Sequence, residues 1–252
     1  MELNIYDFSK IFNNKSLAVV GPSPHLEKMK LGSFFDTFDL TIRINEFSNK
    51  KIYNDYGKNN DVIFISLPDN AIHHYKKMIN KSQDELLGVK YFICPRNSLH
   101  VTPYHLKNFT EDKNIFENFK KLEIDHNMLH IGDQANEKLE SDIGFHPTTG
   151  TLSLAFLSKF NFKKLYVGGF SFYLTKNRYH SRKANIMKKS FKRDINKTKP
   201  GHKHIEEIMY LQKVFDGKEN VFGDLWFTKL ILEKKFNLSN YNSNINFDIS
   251  TL

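Results

Sequence analysis

The chain has 252 residues, a formal net charge of +9, one cysteine and 14% aromatic residues. That length and composition suit one large α/β domain with a real core, and exclude a disordered or collagen-like chain. A lone Cys94 rules out an intrachain disulfide and a cysteine-built zinc site.

The basic balance favours an anionic partner: nucleic acid, an acidic membrane surface or a phosphorylated substrate. The positive residues are dispersed apart from a dense stretch from Lys183 to Lys203. Neither an arginine-rich helix nor zinc-finger spacing is present, which weighs against a dedicated nucleic-acid reader. The N-terminal MELNIYDFSKIF has no apolar signal core. No window approaches the roughly 18 apolar residues of a membrane span. The expected location is the cytoplasm.

In chain order, short apolar runs predict strands at Ser16 to Gly21, Leu40 to Asn45, Asp61 to Ser66, Val89 to Pro95, Lys164 to Phe170 and Asn220 to Gly223. Near-continuous apolar strands imply a sheet buried on both faces, hence parallel. Helical patterns follow Gly150 (TLSLAFLSKF, read as amphipathic) and His204 (HIEEIMYLQKVF). The second has Ile205, Ile208, Met209 and Phe215 as its expected apolar stripe. Strands alternating with helices predict a Rossmann-like, mostly parallel sheet with helices on both faces. Residues 1–252 read as a single domain, with an insertion at 97–145 holding one or two helices on the acceptor side. A basic stretch at 174–201 reads as a mobile loop or small lid. Ligands of such sheets sit beyond the carboxyl ends of the strands.

Three such places carry candidate chemistry. The turn Gly21-Pro22-Ser23-Pro24 leads out of the first strand, and its glycine lets a ligand approach the backbone. Ser23 is placed to cap a following helix. An ordinary βα turn reads the same way. Asn45 ends the second strand, where its amide either reads a base or ribose or simply closes the strand.

The second place is His146-Pro147-Thr148-Thr149-Gly150, before a helix. Two hydroxyls, a glycine and unpaired first-turn amides form a cradle for an oxyanion or phosphate. A plain N-cap would need one threonine.

The third is Gly201-His202-Lys203-His204-Ile205-Glu206-Glu207. An imidazole is the usual acceptor for a sugar hydroxyl's proton, and Glu207 is close enough in sequence to orient His202. The plain alternative is an exposed histidine with acids complementing a helix start. His202 or His204 can serve as the base. Zinc between them is disfavoured, because residues i and i+2 do not share a helix face. Upstream, Tyr179 and His180 offer a phenol and an imidazole to a leaving phosphate.

Together and in order, these segments resemble the sialylmotifs of the animal-type sialyltransferase family. Ala18, Val19, Val20, Gly21, Ser23, Arg43 and Asn45 resemble its large motif. HPTTGTLSLAFL and KLYVGGFSF resemble its small motif, Tyr179-His180 its third, and His202 with Glu207 its His, four residues, Glu motif. The segment GHKHIEEIMYLQKVF also resembles bacterial sialyltransferases of the Campylobacter type.

Three departures stand out. Pro22 replaces an asparagine that contacts the nucleotide, and Leu17 and Phe162 replace the two cysteines of the family disulfide. The membrane anchor of the animal enzymes has no counterpart. The resemblance is therefore to a soluble bacterial or viral version.

It implies a GT-A-like sialyltransferase fold and a metal-independent, inverting transfer of sialic acid from CMP-sialic acid to a sugar hydroxyl, without a cofactor. CMP-Kdo or another CMP-nonulosonate is the alternative donor. The implied acceptor is a glycan or lipid-linked glycan, the latter with peripheral membrane contact. The resemblance implies His202 as general base and Glu207 as its support or that of the helix start. His180 and Tyr179 would meet the departing phosphate. Gly21, Ser23 and Asn45 would hold the nucleoside, and Pro22 occupies the same turn. Thr148, Thr149 and Gly150 would cradle the donor's anionic groups, and Gly169 and Phe170 would lie beneath the nucleotide. A non-catalytic nucleotide- or nucleic-acid-binding protein is the reading from another class.

Overall fold

A computed structural model describes residues 5–46, 48, 50–66, 76, 86, 88–96, 128–172 and 203–234. Seven parallel strands form one sheet: β1 (Ser16–Val20), β2 (Leu40–Ile44), β3 (Val62–Phe64), β4 (Tyr91–Cys94), β5 (Met128–His130), β6 (Lys164–Gly168) and β7 (Val221–Gly223). Their order is β5-β4-β3-β2-β1-β6-β7, with every pair parallel. The chain therefore winds outward from β1 in one direction and then restarts on its other side with β6. The reversal lies between β1 and β6, where an open α/β sheet leaves a crevice beyond its strand ends.

Alternation along β1 shows why the sheet is parallel and doubly covered. Leu17 and Val19 enter one core, while Ala18 and Val20 enter a second on the opposite face. The larger core receives α1 (Ile5–Phe12), α5 (Thr149–Leu157) and α6 (His204–Val214); the smaller is closed by Phe35 of α2 (Gly32–Phe35), Phe38 and Tyr56 of α3 (Tyr53–Tyr56). Leu17 and Phe162 are buried in the same core, so apolar packing occupies both positions where the resembling family has cysteines.

Four features differ from the sequence reading. Phe8 and Phe12, four residues apart on α1, are fully buried against Phe156 and, for Phe12, Phe64 and Phe160. Each such ring stabilises the fold by roughly 1.5–3 kcal/mol, yet the N-terminal segment gave no helix expectation. Segment 97–145 supplies β5 at the sheet edge and the helix α4 (Asp133–Ile143). The helix after Gly150 is buried all round from Thr151 to Leu157 rather than amphipathic. On α6 the buried stripe is His204, Glu207, Ile208 and Leu211, while Met209 is 48% exposed. The 174–201 stretch, expected as a mobile loop or small lid, lies outside the described residues. No helix among the described residues is long and apolar enough to cross a membrane.

Candidate functional site

Beyond the carboxyl ends of β1 and β6, the base of the crevice is built from backbone. Gly21 N donates to Gly168 O at 2.8 Å and Ser23 N to Gly169 O at 3.0 Å. A β-carbon at Gly21 would overlap the Gly169 carbonyl oxygen, and one at Gly169 would overlap that of Gly21. Gly169 also has a φ of +74°, the region glycine enters freely. The Phe170 ring reaches across to the start of α5, within 2.9 Å of where a β-carbon of Gly150 would stand. Gly21, Ser23, Gly150, Gly169 and Phe170, all expected at a donor site, are thus brought together at the switch point.

Ser23 does not cap a helix. The segment behind it is a short 3-10 turn, Pro24–Leu26, and its first-turn amides donate no bond to the Ser23 hydroxyl. That hydroxyl instead meets His25 Nδ1 at 3.0 Å, and His25 Nε2 meets Asp224 Oδ2 at 2.8 Å. Tyr56 donates its hydroxyl to Ser23 O at 2.8 Å. Burial, with the charges of Glu27, Asp55 and Glu46, pushes the Tyr56 phenol up, so it remains a donor. Pro22 lies half-buried in the turn and brings no N–H donor.

One strand over, Asn45 leaves β2 with a φ of +58°, and its side-chain oxygen accepts from Ser66 N at 3.1 Å. Arg43 of the matched motif is buried. It donates to the carbonyls of Tyr56, Gly57 and Asn59 and to Asn60 Oδ1, tying the loop between α3 and β3. Its role in the structure is to shape that loop.

The second half of the site is the junction of α5 and α6. Glu207, 1% exposed, points into the N-terminus of α5. It accepts from Thr148 N at 2.8 Å, Thr148 Oγ1 at 2.7 Å and Thr151 Oγ1 at 2.5 Å. Thr148 also caps its own helix through Thr151 N. A carboxylate at a helix N-terminus is electrostatically favoured, so Glu207 takes part of the anion-binding capacity of Thr148-Thr149-Gly150. The first-turn amides of Thr149 and Gly150 have no intrahelical acceptor.

Beneath this junction lies Arg96, two residues after β4. It donates to Pro147 O at 2.5 Å and to Glu140 Oε1 at 3.2 Å. Glu140 also faces His146 Nδ1 at 3.6 Å. Burial lowers the Arg96 guanidinium against the opposing pull of Glu140. Burial would raise the Glu140 carboxyl, but the His146 hydrogen bond and the His146 and Arg96 charges outweigh it and hold it below its ordinary value. His130 Nε2–H donates to Arg96 O at 2.5 Å, while its Nδ1 accepts from Gly132 N at 3.3 Å, which defines its tautomer.

Arg96, His25 and Asp224 were not singled out from the sequence. A signal existed for two of them: Arg96 and Asp224 are polar residues just past strand carboxyl ends, as Asn45 is. Gly201, His202, Tyr179 and His180 lie outside the described residues. Among the described residues, no group of three or more His, Cys, Asp or Glu side chains could hold a metal ion.

No family model and no curated relative matches the sequence. The fold is similar to that of a mammalian sialyltransferase in complex with Gal-beta-1-3GalNAc-ortho-nitrophenol, at 15% identity and a TM-score of 0.50, over 85% of this chain and 71% of the other. A second mammalian sialyltransferase structure is similar at 16% identity and a TM-score of 0.51, over 83% and 68% of the two chains. A variant of the sialyltransferase CST-II in complex with CMP is similar at 18% identity and a TM-score of 0.51, over 93% and 89%. At these identities the likeness is one of fold, and the expected sialyltransferase-like α/β architecture is what this chain has.

Proposed function

We propose that this chain is a glycosyltransferase that moves sialic acid from CMP-sialic acid to a hydroxyl of a glycan acceptor. The supporting observation is the backbone-lined crevice at the β1–β6 switch point, bordered by Gly21, Gly169, Phe170 and the start of α5. It lies where α/β sheets bind nucleotides, and the similar fold of CST-II was solved with CMP.

The chemistry follows from the donor. The bond between the sugar's anomeric carbon and the CMP phosphate breaks, and the acceptor oxygen bonds to that carbon from the opposite face with inversion. The acceptor's proton passes to His202, which precedes α6 by two residues. CMP leaves with the bonding electron pair. The amides of Thr149 and Gly150 and the α5 dipole meet the donor's negative groups. The buried Glu207 charge in the same turn limits how much further anion that helix end accepts, so Tyr179 and His180 are assigned to the departing phosphate. In this reading the transfer uses no metal, the charge of the departing CMP being met by the α5 amides, Tyr179 and His180, and the EDTA arm below tests that.

The test is release of CMP from CMP-sialic acid with galactose-terminated acceptors and EDTA, for wild type and His202→Ala. Acceptor-stimulated release should survive EDTA and fall about 10²- to 10⁴-fold in the variant. Full activity in His202→Ala would remove the base assignment. Binding of CMP without turnover would shift the donor to CMP-Kdo or another CMP-nonulosonate, and strong salt-dependent binding of RNA with no CMP binding would favour a nucleic-acid protein.

A further inference from the structure

Four residues at the switch point form a closed circuit of hydrogen bonds. Ser23 N donates to Gly169 O at 3.0 Å. Gly169 N donates to Asp224 Oδ2 at 2.7 Å, and His25 Nε2 meets the same oxygen at 2.8 Å. His25 Nδ1 and Ser23 Oγ close the ring at 3.0 Å. The circuit joins the carboxyl ends of β1, β6 and β7, which lie side by side in the sheet. Asp224 is further fixed because its Oδ1 accepts from Phe227 N at 2.9 Å. Trp226 packs on the His25 ring, with centroids 5.8 Å apart.

The proton order around this ring follows from Asp224. An ionised carboxylate only accepts, so His25 presents Nε2–H to it, and in the neutral ring Nδ1 then accepts from the Ser23 hydroxyl. Both polar groups of the Gly169 peptide are consumed in the circuit. The Gly169 backbone is therefore held from two sides against the Gly21-Pro22-Ser23 turn. His25 connects the β1 turn to Asp224, just past β7, with one ring nitrogen at each end.

We propose that His25 is a positioning residue for the donor nucleotide: with Asp224 and Ser23 it latches the β1 turn against the end of β6, so that the crevice is preformed for the nucleoside. This rests on the nucleotide-binding reading above. The latch acts on binding through the geometry of Gly21 and Gly169, and His25 takes no part in the transfer step. A rigid, preformed pocket spares the ordering cost that a loose turn would add on binding.

The experiment measures CMP affinity by titration calorimetry, and thermal unfolding, for wild type, His25→Leu, His25→Gln and Ser23→Ala. A glutamine amide carries a donor and an acceptor in the arrangement the circuit uses, whereas leucine keeps only the packing against Trp226. His25→Leu should weaken CMP binding about tenfold, the effect of one to two hydrogen bonds, and His25→Gln should recover most of it. Ser23→Ala opens the same ring at another link. Its effect should therefore not add to that of His25→Leu in the double variant, which keeps a readout should one substitution fold poorly. Wild-type affinity in His25→Leu, or equal weakening by Leu and Gln, would overturn the latch while leaving the nucleotide site standing. No CMP binding by wild type would remove the nucleotide reading, and the latch's role with it.

Discussion

At the β1–β6 crevice the decisive contacts run between backbones, whereas at the α5–α6 junction they run between buried polar and charged side chains. In the first, Gly21 and Gly169 approach so closely that neither tolerates a β-carbon. In the second, Glu207, Thr148, Thr151, Arg96, Glu140 and His146 interlock through hydrogen bonds and charge. A backbone-built site fails by volume and a charge-built one by lost partners, so the same kind of mutation should give different results in the two places.

The largest effect is expected at Gly169. An alanine there suffers both the strain of a positive φ and overlap with Gly21 O, and the backbones on both sides are held by the sheet. Gly144 is the internal comparison: its φ is +80°, but nothing lies within 4 Å of an added β-carbon. Gly144→Ala should cost about 1 kcal/mol, the strain alone. Gly169→Ala should cost about 2–5 kcal/mol, strain plus overpacking. Urea unfolding followed by the fluorescence of Trp226, the chain's one tryptophan, measures both. Equal costs would mean that the close approach is relieved cheaply.

At the junction the informative contrast is Glu207→Gln against Glu207→Leu. Glutamine keeps an oxygen for Thr148 N, and the threonine hydroxyls can turn toward its amide. Leucine leaves Thr148 N and the buried Thr151 hydroxyl without their acceptor. The expected costs are about 1–2 kcal/mol for Gln and about 3 kcal/mol or more for Leu, since hydrogen bonds to a charged group are worth roughly 1.5–3 kcal/mol. If Glu207 served chiefly to orient His202, both variants would lose turnover at unchanged unfolding midpoints. The contacts observed from Glu207 to α5 lead to loss of stability in both.

These two regions also differ in how legible they were. Gly21, Gly150, Gly169 and Phe170 announced themselves because a glycine after an apolar strand or at a helix start is a direct mark of close approach. Six of the strands were readable for the same reason, as β-branched runs ending in turn residues. The edge strand β5, Met128–His130, is as short as β3 and β7 but has no β-branched residue and sits in a polar, mixed stretch, so no apolar run marked it. On α6, Glu207 and His204 occupy the buried stripe at i, i+3, i+4 and i+7 with Ile208 and Leu211. Polar residues there break the apolar pattern, so the sequence reading, right on Ile208 and Phe215, ran the stripe through Ile205 and Met209 as well. What hid the face was its chemistry: a buried acid is recognisable only once Thr148 and Thr151 are brought to it from 59 and 56 residues away.

The smallest expected effect is an acid limb of stability at Glu140. Its carboxyl is held below the ordinary value by His146 and Arg96, although burial opposes this. Above the unfolded carboxyl pKa of about 4.3, the folded and unfolded forms are both ionised and the stabilisation is fully present. As pH falls through the folded value, the unfolded chain has already taken up its proton, and the contribution is lost. Unfolding free energies measured at pH 7, 5, 4 and 3 should fall less steeply in Glu140→Gln than in wild type. Asp39, lowered by its hydrogen bonds from the Ser16 amide and hydroxyl, adds a limb of the same sign. Asp39 is exposed, so solvent screens it and Asp39→Asn should flatten the slope less than Glu140→Gln. An unchanged slope in Glu140→Gln would mean that the Arg96–Glu140–His146 cluster contributes packing and direction to the α5 turn without a net electrostatic gain.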